Sequence, residues 1–144
     1  MRRFTICAVA VLTLLIVSTG NTLAQRPWYR GNPRQIIKEL ETDTDRYKSS
    51  LDTALDRSRL NGSRAEDEIN EFVKRFEEAT DRLRDRAEDR EYAPNLAREI
   101  LERGRSINAF MRRHRLGGRA ESDWVQVRND LNRLATSYNL NWRW

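Results

Sequence analysis

The sequence predicts an all-α protein: an up-down-up-down four-helix bundle with an extended aromatic C-terminal tail. Three observations predict it. Past residue 24, glycine and proline interrupt the chain only at Pro27, Gly31, Pro33, Gly62, Pro94, Gly104, Gly117 and Gly118. Between these breaks the apolar residues recur at intervals of three and four, the helical period, rather than two. Residue types that start and stop helices stand at the ends of those stretches.

The first helix is expected over about 33–60. Asn32-Pro33 supplies an N-cap residue followed by proline at the first helical position. The apolar face reads Ile36, Ile37, Leu40, Tyr47, Leu51, Ala54 and Leu55, with Thr44 and Ser58 keeping the period. Asn61-Gly62 is a stop signal. Such a helix is a rod of roughly 42 Å at 1.5 Å per residue.

The second helix, about 63–90, opens with Ser63-Arg64-Ala65-Glu66, a capping box in which hydroxyl and carboxylate satisfy each other's free amides. Its stripe is Ile69, Phe72, Val73, Phe76, Ala79, Leu83 and Ala87, fading before Tyr92-Ala93-Pro94. A short Asn61-Gly62 joint pairs it with the first helix as an antiparallel hairpin.

The third helix, about 94–116, carries Leu96, Ala97, Ile100, Leu101, Ile107, Phe110 and Met111. Gly104 falls on the same face. A mid-helix glycine costs about 1 kcal/mol against alanine, so its place here predicts close approach of a neighbouring helix. Gly117-Gly118 ends this helix. The fourth, about 120–138, shows Trp124, Val127, Leu131, Leu134, Ala135 and Tyr138. Asn139 suits the left-handed position after a helix, with Leu140 folding back on the last turn. Short connections favour antiparallel neighbours. The wide positions 72/73 and 100/101 argue against a sustained four-chain coiled coil.

That topology puts the start of the first helix and the end of the fourth at one pole. It predicts an aromatic cluster there, formed by Trp28 and Tyr29 with Leu140, Trp142 and Trp144. In Leu140-Asn141-Trp142-Arg143-Trp144 the apolar residues alternate, which suits an extended strap with one buried side. The cluster reads first as a structural plug. Its alternative is an exposed docking surface for a partner or envelope polymer.

Ahead of the helices stands an export signal, residues 1–24. Arg2 and Arg3 give a positive start, Phe4 to Val17 is apolar apart from Thr5 and Thr13, and Thr22-Leu23-Ala24 is a small-residue pattern with a predicted cut after Ala24. The apolar stretch falls short of the roughly 20 residues that span a bilayer, so an uncleaved anchor is the lesser alternative. Residues 25–32 form an extended lead-in and 33–144 the helical domain. Cleavage removes Cys7, the only cysteine, so the mature chain carries no disulfide and no thiolate ligand or nucleophile. The export signal implies a secreted or periplasmic location.

The net charge is +5, or +3 once Arg2 and Arg3 leave (5 − 2), and the pI is near 9.9. The signs are interleaved, as in Arg82 to Arg90, which is the pattern of a solvated helix face laced with pairs. Export argues against nucleic acid as a partner despite the basic balance.

Most enzymatic chemistries lack their parts. His114 is the only histidine, and three residues before it stands Met111, not the glutamate of a di-iron bundle. Cys-x-x-Cys-His, Gly-x-Ser-x-Gly, P-loop and dinucleotide fingerprints are absent. Carboxylates are plentiful, but none is read as interrupting an apolar stripe. Asp130 with Arg128 and Arg133 reads as ordinary surface pairing. His114 reads as a surface residue complementing the helix dipole.

The most functional-looking feature is the basic run closing the third helix. Arg103, Arg105, Arg112, Arg113, Arg115 and Arg119 occur with no acidic residue between Glu102 and Glu121. Arg112, Arg113, Arg115 and Arg119 are the candidates for binding an anionic lipid or polymer. Against this, Glu66, Asp67 and Glu68 share that pole and are expected to neutralise much of the patch.

The run from Trp124 through Val125-Gln126-Val127-Arg128-Asn129-Asp130-Leu131 to Trp142 resembles the closing segment of small exported helical proteins from environmental bacteria, an uncharacterised group. The stretches Leu55 to Ser63 and Ile107 to Arg113 are also similar to that group. The shared motifs are caps, a joint and a packing stripe. The resemblance implies an envelope location and no activity. The Leu-Thr-x-x-Gln repeats common in periplasmic helical chaperones do not occur.

The expected function is therefore non-enzymatic: a secreted or periplasmic helical protein with a structural or partner-binding role and no cofactor or metal. Its partner is a protein or envelope component. The alternative is an envelope protein that holds an anionic surface through the basic end of the third helix. A carboxylate-based cell-wall hydrolase is the weakest reading.

Overall fold

Asn32 Oδ1 accepts the amide of Gln35 and Pro33 takes the first helical position, so α1 (Pro33–Asp56) starts at the expected residue. The computed structural model describes residues 32–144. The expected signal peptide with its cut after Ala24 and the expected lead-in up to Gly31, and with them Trp28 and Tyr29, lie outside the described residues.

α1 stops short of residue 60, and Ser58 is the reason. Its hydroxyl donates to Leu55 O and accepts from the Leu60 amide, both at 2.9 Å, so it closes the helix instead of filling its period. Asn61 Nδ2 then donates to Asp56 O, and Gly62 takes a φ of +71°. The joint is thus residues 57–63 and not a bare Asn-Gly pair.

α2 (Arg64–Glu88) is capped by Ser63, whose hydroxyl accepts from Glu66 N at 3.4 Å. The return half of the expected box is displaced by one residue. Glu66 reaches past Ser63 to the amide of Gly62, and the Ser63 amide donates to Leu60 O. Arg90, at φ +60°, then ends the helix in a left-handed turn.

α3 (Pro94–His114) ends at Arg115, which takes φ +42° and donates its amide to Met111 O. Gly117 makes the turn, but Gly118 is already the first residue of α4 (Gly118–Ser137). Glu121 reaches back to the Gly117 amide at 3.1 Å, the same device Glu66 uses on α2. At the far end Asn139 is left-handed at φ +54°. The Leu140 amide bonds to Ala135 O and the Asn139 amide to Thr136 O, a Schellman closure.

The four helices form a bundle in which each packs on its chain neighbours and α1 on α4, with no diagonal pair in contact among the described residues. α1 and α4 approach most closely; α3 and α4 form the most open seam. Tyr47, Leu51, Ile69, Phe76, Leu83, Ile100, Leu101, Phe110, Leu131 and Tyr138 make the centre of one continuous core.

Gly104 is buried on that core, but no neighbouring backbone presses on it. A Cβ there would stand 2.8 Å from Leu131 Cδ1, 3.6 Å from the Trp144 ring and 3.8 Å from Phe76. The glycine makes room for side chains in the open α3–α4 seam, not for a close helix crossing.

Candidate functional site

The Schellman closure turns the chain back at the end of α4, and the open α3–α4 seam receives residues 140–144. Leu140, Trp142 and Trp144 are half-buried while Asn141 and Arg143 are exposed. Trp144 Nε1 donates to Asn132 Oδ1 at 2.8 Å, and its ring stands edge-on to Trp124 with 6.4 Å between centroids. Trp142 meets Trp144 at 5.7 Å, also edge-on. Trp124 lies thirteen residues before Ser137, roughly 20 Å back along the helix at 1.5 Å per residue.

The tail therefore runs from its pole to the middle of the bundle. Trp142 and Trp144 do not gather at the pole, as the topology alone suggested. The space left by Gly104 and the wide seam draw them inward.

Two arginines clamp the strap. Arg105 lies 4.1 Å over the Trp142 ring and donates to Arg143 O at 2.8 Å. Arg128 lies 5.2 Å over the Trp144 ring. Sequence reasoning assigned Arg128 to pairing with Asp130 and missed this contact. No local spacing signals it, because Trp144 lies outside the helix that carries Arg128 and meets it only when the tail folds back.

Beside the tip of the tail lies a groove of about 240 Å³ between α3 and α4. Met111, Trp124 and Val125 give it an apolar floor; Trp124 is pinned by its Nε1 donating to Asn108 Oδ1 at 3.1 Å. Arg112, Arg115 and Arg128 supply the cations, and Glu121 is its only carboxylate. Of the four arginines singled out in the sequence, two line this groove. Arg113 and Arg119 do not, and Arg119 stands 3.7 Å from Asp123.

Arg112, Arg113 and Arg115 are exposed, and none forms an ion pair among the described residues. The expected neutralisation by Glu66, Asp67 and Glu68 does not occur through ion pairs. Glu66 is held at the N-terminus of its own helix by the Gly62 amide, and Glu121 likewise by that of Gly117. His114, partly buried with its ring 4.3 Å from Phe110, sits in the last turn of α3 where a helix favours positive charge.

The carboxylates need one correction. Asp123 and Asp130 are both buried, at 8% and 5% exposure. α4 buries two adjacent lines, so 120, 123, 127, 130, 134 and 137 are covered beside 124, 131, 135 and 138. Asp130 Oδ1 accepts from Arg133 Nη1 at 2.9 Å; Arg128 is not its partner. Burial pushes the Asp130 carboxyl up to about 6, reinforced by the facing Asp43 carboxyl and opposed by Arg133.

A second depression, about 340 Å³, lies between α1 and α2 and is bordered by Glu41, Asp45, Glu77 and Asp81. Three of its four carboxylates are tied up, Asp45 being the exception. Arg84 bonds Glu41 at 2.8 Å and Asp81 at 3.0 Å, and Lys48 bonds Glu77 at 3.0 Å. Burial raises the Glu41 pKa while Arg84 opposes the shift. That arrangement is a laced helix face. Among the described residues no three His, Cys, Asp or Glu side chains assemble as a metal site. No helix among them is long and apolar enough to cross a membrane.

Comparison with known protein families, with curated proteins and with solved structures finds no match to the chain.

Proposed function

We propose that this is a non-enzymatic, exported helical protein that binds a partner of the cell envelope, and that the α3–α4 face is its binding face. The observation that carries the reading is a convergence. Trp124, which the tail's Trp144 meets edge-on, and Arg112, Arg115 and Arg128, none of them ion-paired among the described residues, come together at one groove, whereas arginines 46, 75, 82, 84, 86, 103, 105 and 133 are ion-paired. Export itself rests on the signal sequence of residues 1–24. The carboxylate-rich depression between α1 and α2 gives a hydrolase little support, because Glu41, Glu77 and Asp81 are engaged by Arg84 and Lys48, which leaves Asp45 without a second free acid beside it.

A photo-crosslinking side chain placed at Val125, on the groove floor, tests the reading when compared with one at Asp45 on the α1–α2 face. In native envelope, Val125 is expected to give a discrete adduct that Asp45 does not. Equal labelling from both positions, or none from either, would reject the α3–α4 face.

The unpaired arginines favour a second reading, that the partner is an anionic surface gripped by the end of α3. Arg112→Glu with Arg113→Glu should then abolish salt-dependent sedimentation with anionic vesicles. Unchanged sedimentation removes this second reading.

A further inference from the structure

Resting on the assignment of the α3–α4 face as the binding face, we propose that its groove is a site for a phosphomonoester group, with Arg112, Arg115 and Arg128 as its cationic walls. Three features of the groove define the ligand. The first is charge. Three guanidiniums face one carboxylate, leaving an excess of two positive charges, which a phosphomonoester dianion matches. The second is geometry of the donors. Guanidinium forks present paired N–H groups that fit phosphate oxygens, and no lysine lines the groove. The third is Arg128 itself. Its guanidinium is stacked on Trp144, and its Nε–H is buried with no acceptor among the described residues. Stacking on Trp144 fixes the guanidinium at the groove wall, where it forms no ion pair among the described residues and is placed to hold an anion.

Size and floor narrow the class further. A groove of about 240 Å³ is below the usual range for drug-sized ligands, so it holds a headgroup rather than a whole large molecule. Met111, Trp124 and the exposed Val125 offer an apolar flank beside the cations. A phosphate carried on a short polyol or sugar with one apolar side fits both parts. Other candidates carry less. Of the α1–α2 carboxylates, Glu41, Glu77 and Asp81 are already paired, and Asp43 with Asp130 lies inside a seam.

Two probes separate the sources of such a phosphate: soluble glycerol 3-phosphate, and phosphatidylcholine vesicles containing phosphatidic acid. Binding is read by tryptophan fluorescence, since Trp124 lines the site and Trp144 packs against it, and by calorimetry. Saturable binding to the soluble ester identifies a free ligand; binding to the vesicles alone identifies a lipid headgroup. In either case Arg128→Gln, and separately Arg112→Gln with Arg115→Gln, should weaken binding roughly tenfold, as expected for losing a charged hydrogen bond. Arg57→Gln with Arg59→Gln, at the α1–α2 joint, should leave it unchanged. Circular dichroism on each variant checks that the bundle is intact.

Absence of binding to both probes overturns the proposal, as does equal weakening by the α1–α2 joint variant, which would mean diffuse charge attraction. A discrete Val125 adduct in native envelope without phosphomonoester binding would leave the partner-binding reading standing and remove this one.

Discussion

The indole of Trp144 stands edge-on to that of Trp124 at 6.4 Å while its Nε1 bonds Asn132 on the same helix. The last residue of the sequence is thereby fixed against the middle of the bundle, over Gly104 and beneath Arg128. The strap closes the α3–α4 seam and touches Trp124 and Arg128, two residues that line the groove beside it, so the proposed site is built partly on the tail's packing.

Removing the ring should be felt in stability. Trp144 is half-buried and keeps one hydrogen bond, so Trp144→Ala is expected to cost about 2 kcal/mol. At roughly 4 °C per kcal/mol for a domain of this size, the Tm should fall by about 8 °C. Thermal melts followed by circular dichroism measure it. Deleting Leu140 to Trp144 should lower Tm at least as far; an unchanged value would mean that the strap contributes nothing to the fold.

Gly104 makes a sharper test of the same seam. Leu131 is fully buried and its Cδ1 stands 2.8 Å from where a Cβ would be. Gly104→Ala gains about 1 kcal/mol of helix propensity, offset by moving the end of one flexible side chain, so it should be near neutral. Gly104→Val adds two more carbons against Leu131, Phe76 and Trp144, and overpacking should cost about 1–3 kcal/mol. If valine were tolerated as well as alanine, the space at Gly104 would not be what seats the tail.

These two cases mark how far the sequence was legible. Helix number, order and core lines follow from the three-four spacing, because burying a stripe is a local demand on the sequence. Ser58 obeyed the same period yet ended α1, since a serine hydroxyl either faces a core edge or bonds the preceding turn, and the spacing is identical in both cases. The alternation from Leu140 to Trp144 announced a strap. Where the strap goes depends on which seam is widest, a property of all four helices together. The arginines of α3 were visible as a run, but that Glu66 and Glu121 would each cap a helix and form no ion pair with them was not. Arg128 joined the site only through the tail that folds onto it.

Asp130 gives a pH signature. Its ordinary pKa of 3.8 rises to about 6 in the fold, chiefly through burial, with Asp43 facing it and Arg133 bonded to it. The folded state therefore binds the proton more tightly than the unfolded chain. The stability gained is full below about pH 4 and is lost as pH rises through about 6. Glu39, held below its ordinary value by Gln35 and Arg133, works in the opposite sense at lower pH. Asp130→Asn keeps an acceptor for Arg133 and removes the buried charge. It should raise stability at pH 7.5 by about 1 kcal/mol, or roughly 4 °C, and flatten Tm between pH 4 and 7. A variant as pH-dependent as the parent would locate the titration elsewhere.

Glu121 links the fold to the groove, and its two tasks come apart by a single substitution. Its carboxylate caps the Gly117 amide at 3.1 Å and is the one negative charge on the groove wall. Glu121→Gln retains an oxygen that accepts the same amide, so the fold should change by no more than about 0.5 kcal/mol. Loss of the charge leaves Arg112, Arg115 and Arg128 unopposed. Affinity for glycerol 3-phosphate, or for vesicles bearing phosphatidic acid, should rise roughly three- to tenfold at low ionic strength. The gain should shrink in about 0.5 M salt, where screening acts over a few ångströms. Calorimetry at both salt concentrations measures the difference. Equal affinity of variant and parent at low salt would show that the anion binds away from Glu121, and therefore outside this groove.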